Sequence, residues 1–315
     1  MRTRSGRSGG VVLGVAAGVL LGSLTVSGKP LSLALSAPGV AALTYLVAGL
    51  LVGTLRVVLP RVAPSLARPL RSDGPWQLPS SMIGRARLSG SVLFGAFLGP
   101  LLLFAGLSQT TAGAAAVVLT AEVALTVVAA VVLLQERVRP LQGMGVAIVL
   151  AATVGLTVSA RLPSGGLGSG IGDLLVLGAA SSFAIDNTLT KGLATAEDQL
   201  GTIAVKAVAG GALLAVVVFV LGAPLLPPVS LWPMVVAAGG LGVGASLICY
   251  LAAVDRIGTL QATVLLATSG LCGALLAAGI GQEPLDRLAL IGGVAVIGGV
   301  ALLLRAEEGP VIAPP

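Results

Sequence analysis

The chain has 315 residues, of which 56% are hydrophobic and 10% charged, against roughly 25% charged in an average soluble domain. With a mean hydropathy of +1.06, that much apolar surface exceeds what a soluble fold of this size can bury. The composition excludes a soluble enzyme, a DNA-binding domain and a disordered chain, and leaves a polytopic membrane protein. The net charge of +6 has to be placed along the chain before it says anything about partners.

A helix crosses the ~30 Å hydrocarbon core with about 20 apolar residues. The long continuous runs predict helices over 10–28, 39–59, 87–107, 112–134, 140–159, 169–191, 201–222, 230–251, 258–280 and 286–305. The expected fold is therefore all-α, a polytopic membrane protein with ten transmembrane helices. The linkers are short except 60–86, which carries Pro60, Pro64, Pro69, Pro75 and Pro79 among Arg61, Arg68 and Arg71 and reads as a solvated loop. The run from Ser164 to Gly170 is glycine-rich and marks a mid-chain boundary. It divides the chain into 1–163 and 164–315. The segment from Glu307 to Pro315 reads as a loose tail, and the first apolar run as a helix rather than a cleaved signal.

Basic residues orient such a chain. With the N-terminus in the cytoplasm, fifteen Lys and Arg lie inside, Arg56, Lys191, Lys206 and Arg256 among them. Three, Lys29, Arg161 and Arg287, lie outside. This orientation puts both termini in the cytoplasm of a multi-pass plasma-membrane protein. It also assigns the positive charge to topology, so no nucleic-acid partner is expected.

The two halves resemble each other. A shift of 147 aligns Gln135-Glu136 with Gln282-Glu283, Ala105 with Ala252, Val117 with Val264 and Gly145 with Gly292. Earlier in each half a shift of 162 aligns Lys29 with Lys191, Leu31 with Leu193 and Gly49 with Gly211. Five helices per copy is an odd number, so the second copy enters the membrane upside down. The expectation is a 5+5 inverted repeat, an architecture that places a substrate near mid-membrane between the repeats.

Several segments resemble the EamA-type drug/metabolite transporters. They include Gly22-Ser23 followed by Lys29, Leu98-Gly99-Pro100-Leu101-Leu102 running into Ala105 to Thr110, and Leu119-Thr120-Ala121-Glu122 followed by Gln135-Glu136-Arg137. In the second half they are Gly172-Asp173, the stretch from Phe183 to Lys191, and Gly281-Gln282-Glu283-Pro284-Leu285. The resemblance implies a ten-helix inverted repeat and an exporter or permease for amino acids, other small metabolites or drugs. Some similar proteins end in a histidine-rich tail. This chain has no histidine, so no metal role is expected.

Glu122 is the sharpest residue. It sits about 11 residues from either end of its apolar run, roughly 16 Å from each surface, too deep to reach water by bending outward. A carboxylate there must face a polar cavity, pair with a cation or stay protonated. Each option suits substrate binding or proton coupling. A protonated glutamate bridging two helices is the structural alternative. Asp186 and Asn187 are candidates for lining the cytoplasmic part of a path. Lys206 is a candidate partner for Asp186 or Glu122, and Tyr45 and Gln109 are candidate polar groups of the cavity. Lys29 and Lys191 read as anchors near opposite surfaces, and the two Gln-Glu pairs as interfacial charges that pin helix ends.

Gly10, Gly14, Gly18 and Gly22 recur every four residues, as do Gly240 and Gly244. Such strips permit close backbone contact, here read as packing within the chain, with a homodimer seam or a sliding surface as the other uses. Without histidine there is no Ser–His–Asp triad, so the formal Gly-x-Ser-x-Gly match at Gly6–Gly10 carries no chemistry. No Walker A sequence is present. Cys249 and Cys272 lie in apolar runs and read as buried hydrophobes. No cofactor, metal or enzymatic activity is expected. The predicted function is secondary transport of a small metabolite or amino-acid-like solute by alternating access, outward from the cell. The alternative is a non-transporting structural or regulatory membrane protein of the same fold.

Overall fold

The structure is a computed structural model that describes residues 4–62, 79–134, 140–159, 170–191, 198–281 and 287–305. Most of the proline-rich linker, both Gln-Glu pairs, the glycine-rich boundary and the tail lie outside them. All regular structure among the described residues is helical.

The helices follow the apolar runs. α1 spans Arg4–Ala34 and α2 Ala37–Val62. α3 (Met82–Ser91), a π-helical segment (Val92–Leu98) and α4 (Gly99–Leu107) form one rod. α5 (Ala112–Leu119) and α6 (Glu122–Leu134) share the next run, followed by α7 (Pro140–Ser159), α8 (Gly170–Lys191) and α9 (Gln199–Val220). A second rod contains α10 (Trp232–Val235), a π-helical segment (Val236–Ala245) and α11 (Ser246–Ile257). α12 (Thr259–Leu266), α13 (Ser269–Gly279) and α14 (Arg287–Arg305) complete the chain. Among the described residues six stretches are long and apolar enough to cross a membrane, and Gly143–Ala152, Ser269–Gly279 and Leu290–Leu302 are shorter apolar helices. The protein is a multi-pass membrane protein. Its outer surface matches, with Leu50 63%, Phe219 85% and Ile291 66% exposed.

Two expected helices are interrupted. The run 112–134 turns tightly at Thr120-Ala121, where Thr120 N donates to Val117 O and Ala121 N to Val118 O. The Thr120 hydroxyl also donates to Val117 O at 2.5 Å. The run 258–280 does the same at Thr268, whose backbone N and hydroxyl both reach Leu265 O, the latter at 2.6 Å. A threonine hydroxyl that bonds back one turn competes with the helical ladder and bends it. Gly258, at φ 87°, turns the chain between α11 and α12 in a conformation that L side chains disfavour.

Lipid tails are as apolar as leucine, so helices in a bilayer are held together by close packing of small residues. α1 lies against the second π segment and α11–α13, while α8 lies against the first rod and α5–α6. α2 pairs with α9, and α7 with α14. The glycine strip of α1 is used up inside the chain. A Cβ on Gly10 or Gly14 would collide with Ile257 or Leu265. One on Gly18 or Gly22 would meet Leu265 O or Ser269 O at 2.7 Å. That strip packs against other helices of the same chain. Gly240 and Gly244 pack toward α2.

Element bounds recur along the chain. Ala112–Leu119 and Thr259–Leu266 begin and end 147 residues apart, and Ala37 and Gln199, where α2 and α9 begin, are 162 apart. Contacts recur with their partners exchanged. A Cβ on Gly49 would meet Val208 N at 2.9 Å and Ala204 O at 3.2 Å, and one on Gly211 would meet Leu46 N at 3.0 Å and Ala42 O at 3.1 Å. Each residue in the first contact is 162 away from its counterpart in the second. Similarly, Gly172 abuts Gln109 and Thr110, while Gly10 abuts Arg256 and Ile257.

Candidate functional site

The break at Thr120-Ala121 makes Glu122 the first residue of α6 rather than a residue in mid-helix. Asn187 of α8 donates from Nδ2 to Glu122 Oε1 at 2.7 Å, and the same nitrogen lies 3.4 Å from Thr126 Oγ1, one turn along α6. The Thr126 hydroxyl donates to Glu122 O at 2.8 Å.

Asp186, the residue before Asn187, faces other elements. Its Oδ2 pairs with Lys206 Nζ of α9, and its Oδ1 accepts from Ser91 Oγ of α3 at 2.5 Å. The carboxylate fills the space beside Gly95 in the first π segment, where a Cβ would overlap it. Asp186 is buried and Lys206 half-buried. Consecutive residues on α8 thus hold two acidic centres, one on the α6 side and one on the α3–α9 side. The charges of Asp186 and Lys206 both act on Glu122. Tyr45 of α2 lies within electrostatic reach of both carboxylates, and Tyr250 of α11 within reach of Glu122. Tyr250 Oη and Thr263 Oγ1 are hydrogen-bonded at 3.0 Å. Glu122, Asn187, Lys206, Tyr45 and Tyr250 are all half-buried.

Five of the six residues singled out by sequence therefore gather in one neighbourhood. The sixth, Gln109, does not. It is exposed beyond the end of α4, and its Nε2 donates to Ala105 O at 3.2 Å. Ser91, Gly95, Thr126 and Tyr250 join the cluster without having stood out in the sequence. Nothing local distinguishes them from the other small or amphipathic residues of apolar helices.

Two polar clusters lie apart from this one. Lys29 Nζ donates to Leu107 O at 2.9 Å and Thr110 O at 2.6 Å, placing a cation at the carbonyl end of α4. Thr110 Oγ1 donates to Asp173 Oδ1 at 2.5 Å. Lys29 is thus a cross-link between helices rather than a simple surface anchor. The side chain of Lys191, which a shift of 162 aligns with Lys29, lies outside the described residues. Elsewhere Arg56 Nε donates to Asp198 Oδ2 at 2.9 Å, with the two side chains 6% and 3% exposed. Asp198 also caps α9 through Gly201 N at 2.8 Å. Arg56, counted from sequence among the cytoplasmic basic residues, is buried, and Asp198 compensates it. A shallow apolar groove of about 650 Å³ along α2 and α9, lined by Gly49, Gly53, Val57, Ala204, Val208 and Ala212, carries none of this chemistry. Among the described residues no group of His, Cys, Asp and Glu could hold a metal ion.

Comparison with known proteins agrees with the fold. The EamA-like transporter family model matches residues 8–158 and again 170–305. An uncharacterized transporter of Methanothermobacter thermautotrophicus is 26% identical over 214 residues, 68% of this chain. The aligned part spans 62% of that relative's length. A protein known from its crystal structure shares the fold at a TM-score of 0.62 and 23% identity, over 96% of this chain and 100% of its own. A multi-pass helical protein matched twice along its length by one family model is a member of that family: the chain belongs to the EamA-like transporters.

Proposed function

We propose that the protein is a secondary transporter that exports a small metabolite or amino-acid-like solute across the plasma membrane by alternating access. Glu122 binds the solute's cationic group or carries a coupling proton. The observation that carries this reading is the Glu122–Asn187 pair. A carboxylate near the middle of a membrane span is expensive unless it is paired or solvated. Here it is half-buried and fixed by a 2.7 Å hydrogen bond beside Lys206, Asp186 and two tyrosines.

The architecture that fits is ten spans in a 5+5 inverted repeat, 1–163 and 164–315, with both termini cytoplasmic. Supporting it are the element bounds recurring at 147 and 162 residues and the contacts recurring with partners exchanged. Exchange of partners is what a two-fold axis produces. The two groupings around α1 and α8 are the bodies that rock against each other. In this orientation Lys29, Thr110 and Asp173 hold the outer ends together.

The test is metabolite release from overexpressing cells, followed by transport of the released solute in proteoliposomes. Glu122→Gln abolishes transport while insertion and thermal stability stay at wild-type levels. A fully active Glu122→Gln protein ends this role for Glu122.

A further inference from the structure

The Asp186–Lys206 pair has a neutral counterpart elsewhere in the molecule. Shifts of 162 and 147 residues carry Asp186 to Leu24, Lys206 to Thr44, Gly95 to Gly242 and Ser91 to Ala238. At the counterpart junction Leu24 lies beside Gly242 through its backbone and Cβ, which come within 3.0–3.3 Å of where a Gly242 Cβ would lie, whereas at Gly95 the near atoms are those of the Asp186 carboxylate. The same residue pair is thus uncharged at one junction and an ion pair at the other, with the glycine kept at both. A buried ion pair at only one of the two related junctions calls for a functional account.

Among the described residues the central cluster holds two carboxylates, Glu122 and Asp186, and one ammonium, Lys206. Asp186 is fixed by Ser91 and by the space at Gly95, and is buried. Lys206 is half-buried on a flexible four-carbon stem, within electrostatic reach of Glu122. Asp186 and Asn187, consecutive on α8, hold Lys206 and Glu122 respectively. When a cationic solute leaves, Glu122 becomes a bare carboxylate in the membrane, and the empty protein must neutralise it before reorienting.

We propose that Lys206 is a tethered counter-cation that Asp186 and Glu122 share in the solute-free protein and that Asp186 alone holds when a cationic solute occupies Glu122. Asp186 is the competing acceptor, and it keeps the ammonium out of the way while solute is bound. This deepens the reading above and rests on its assignment of Glu122 to a solute cation.

The test uses the full chain in liposomes without solute. Dicyclohexylcarbodiimide, a membrane-soluble reagent, modifies protonated carboxyl groups, and mass spectrometry of the Glu122 peptide at fixed neutral pH reads the label. Asp186→Asn weakens the competing site, sends Lys206 to Glu122 and lowers labelling there several-fold. Lys206→Thr removes the counter-cation and raises it several-fold. Asp186→Leu/Lys206→Thr, which copies Leu24 and Thr44, labels like Lys206→Thr and keeps the wild-type melting temperature. Unchanged or increased labelling in Asp186→Asn, or unchanged labelling in Lys206→Thr, overturns the proposal. So does unfolding of the double variant, which makes the pair structural. Labelling needs no solute flux, so it can fail while Glu122→Gln still abolishes transport, and the two readings are separable.

Discussion

Asn187 holds Glu122: one amide hydrogen bond of 2.7 Å links α8 to the first residue of α6. It meets α6 just after the turn at Thr120-Ala121, where the helical ladder tightens, and fixes where the central carboxylate points. A hydrogen bond to a charged group contributes about 1.5–3 kcal/mol. Asn187→Leu is therefore expected to lower transport at sub-saturating solute by roughly 10- to 100-fold, with normal insertion. Asn187→Gln, which keeps the amide but displaces it, restores part of the activity. Equal activity of all three proteins removes the amide from the site.

Gly95 makes room for Asp186. A methyl group at this position overlaps the carboxylate, so Gly95→Ala pushes Asp186 away from Ser91 and Lys206. Transport falls strongly. Gly95→Ala combined with Asp186→Ala, which removes the collision, regains thermal stability but not transport. The paired melting and uptake measurements check this, and recovery of transport in the double variant contradicts it.

Arg56 and Asp198 are buried and mutually dependent. Removing one partner of a buried pair leaves an uncompensated charge and costs about 3–5 kcal/mol. Arg56→Met and Asp198→Leu each lower the melting temperature markedly in detergent. The double variant is more stable than either single variant. Asp198→Asn is milder than Asp198→Leu, because its side-chain carbonyl still caps Gly201 N. Additive losses in the double variant rule out the coupling.

Gly49 and Gly211 make the same contact from opposite sides of the α2–α9 junction. Gly49→Leu and Gly211→Leu both force the two backbones apart. They are expected to reduce folded yield to a similar extent, and the two together cost less than the sum of their separate effects. Size-exclusion profiles and melting curves check this. A large effect from one and none from the other contradicts the reciprocal geometry.

Much of the fold was legible because a bilayer imposes a simple rule: each span needs about 20 apolar residues with every backbone group satisfied internally. Runs such as 39–59 and 201–222 became Ala37–Val62 and Gln199–Val220 with shifts of a few residues. The turns at Thr120 and Thr268 were not legible, because a threonine in an apolar helix bends it only where its hydroxyl closes back on the preceding turn. Gln109 drew notice as a polar residue next to an apolar run, but it lies beyond the end of α4 with its side chain folded onto the helix.

The sequence by itself determined that the chain is a helical membrane protein with related halves, and that Glu122 is a carboxylate that must be compensated in lipid. Hydropathy and depth depend only on the order of residues along one span. The tertiary structure decided which groups compensate it. Asn187 meets Glu122 across 65 positions of chain, Ser91 meets Asp186 across 95 and Arg56 meets Asp198 across 142. Those pairings follow from where helices cross, and the crossings are set by glycines such as Gly49 and Gly211 that let two backbones touch.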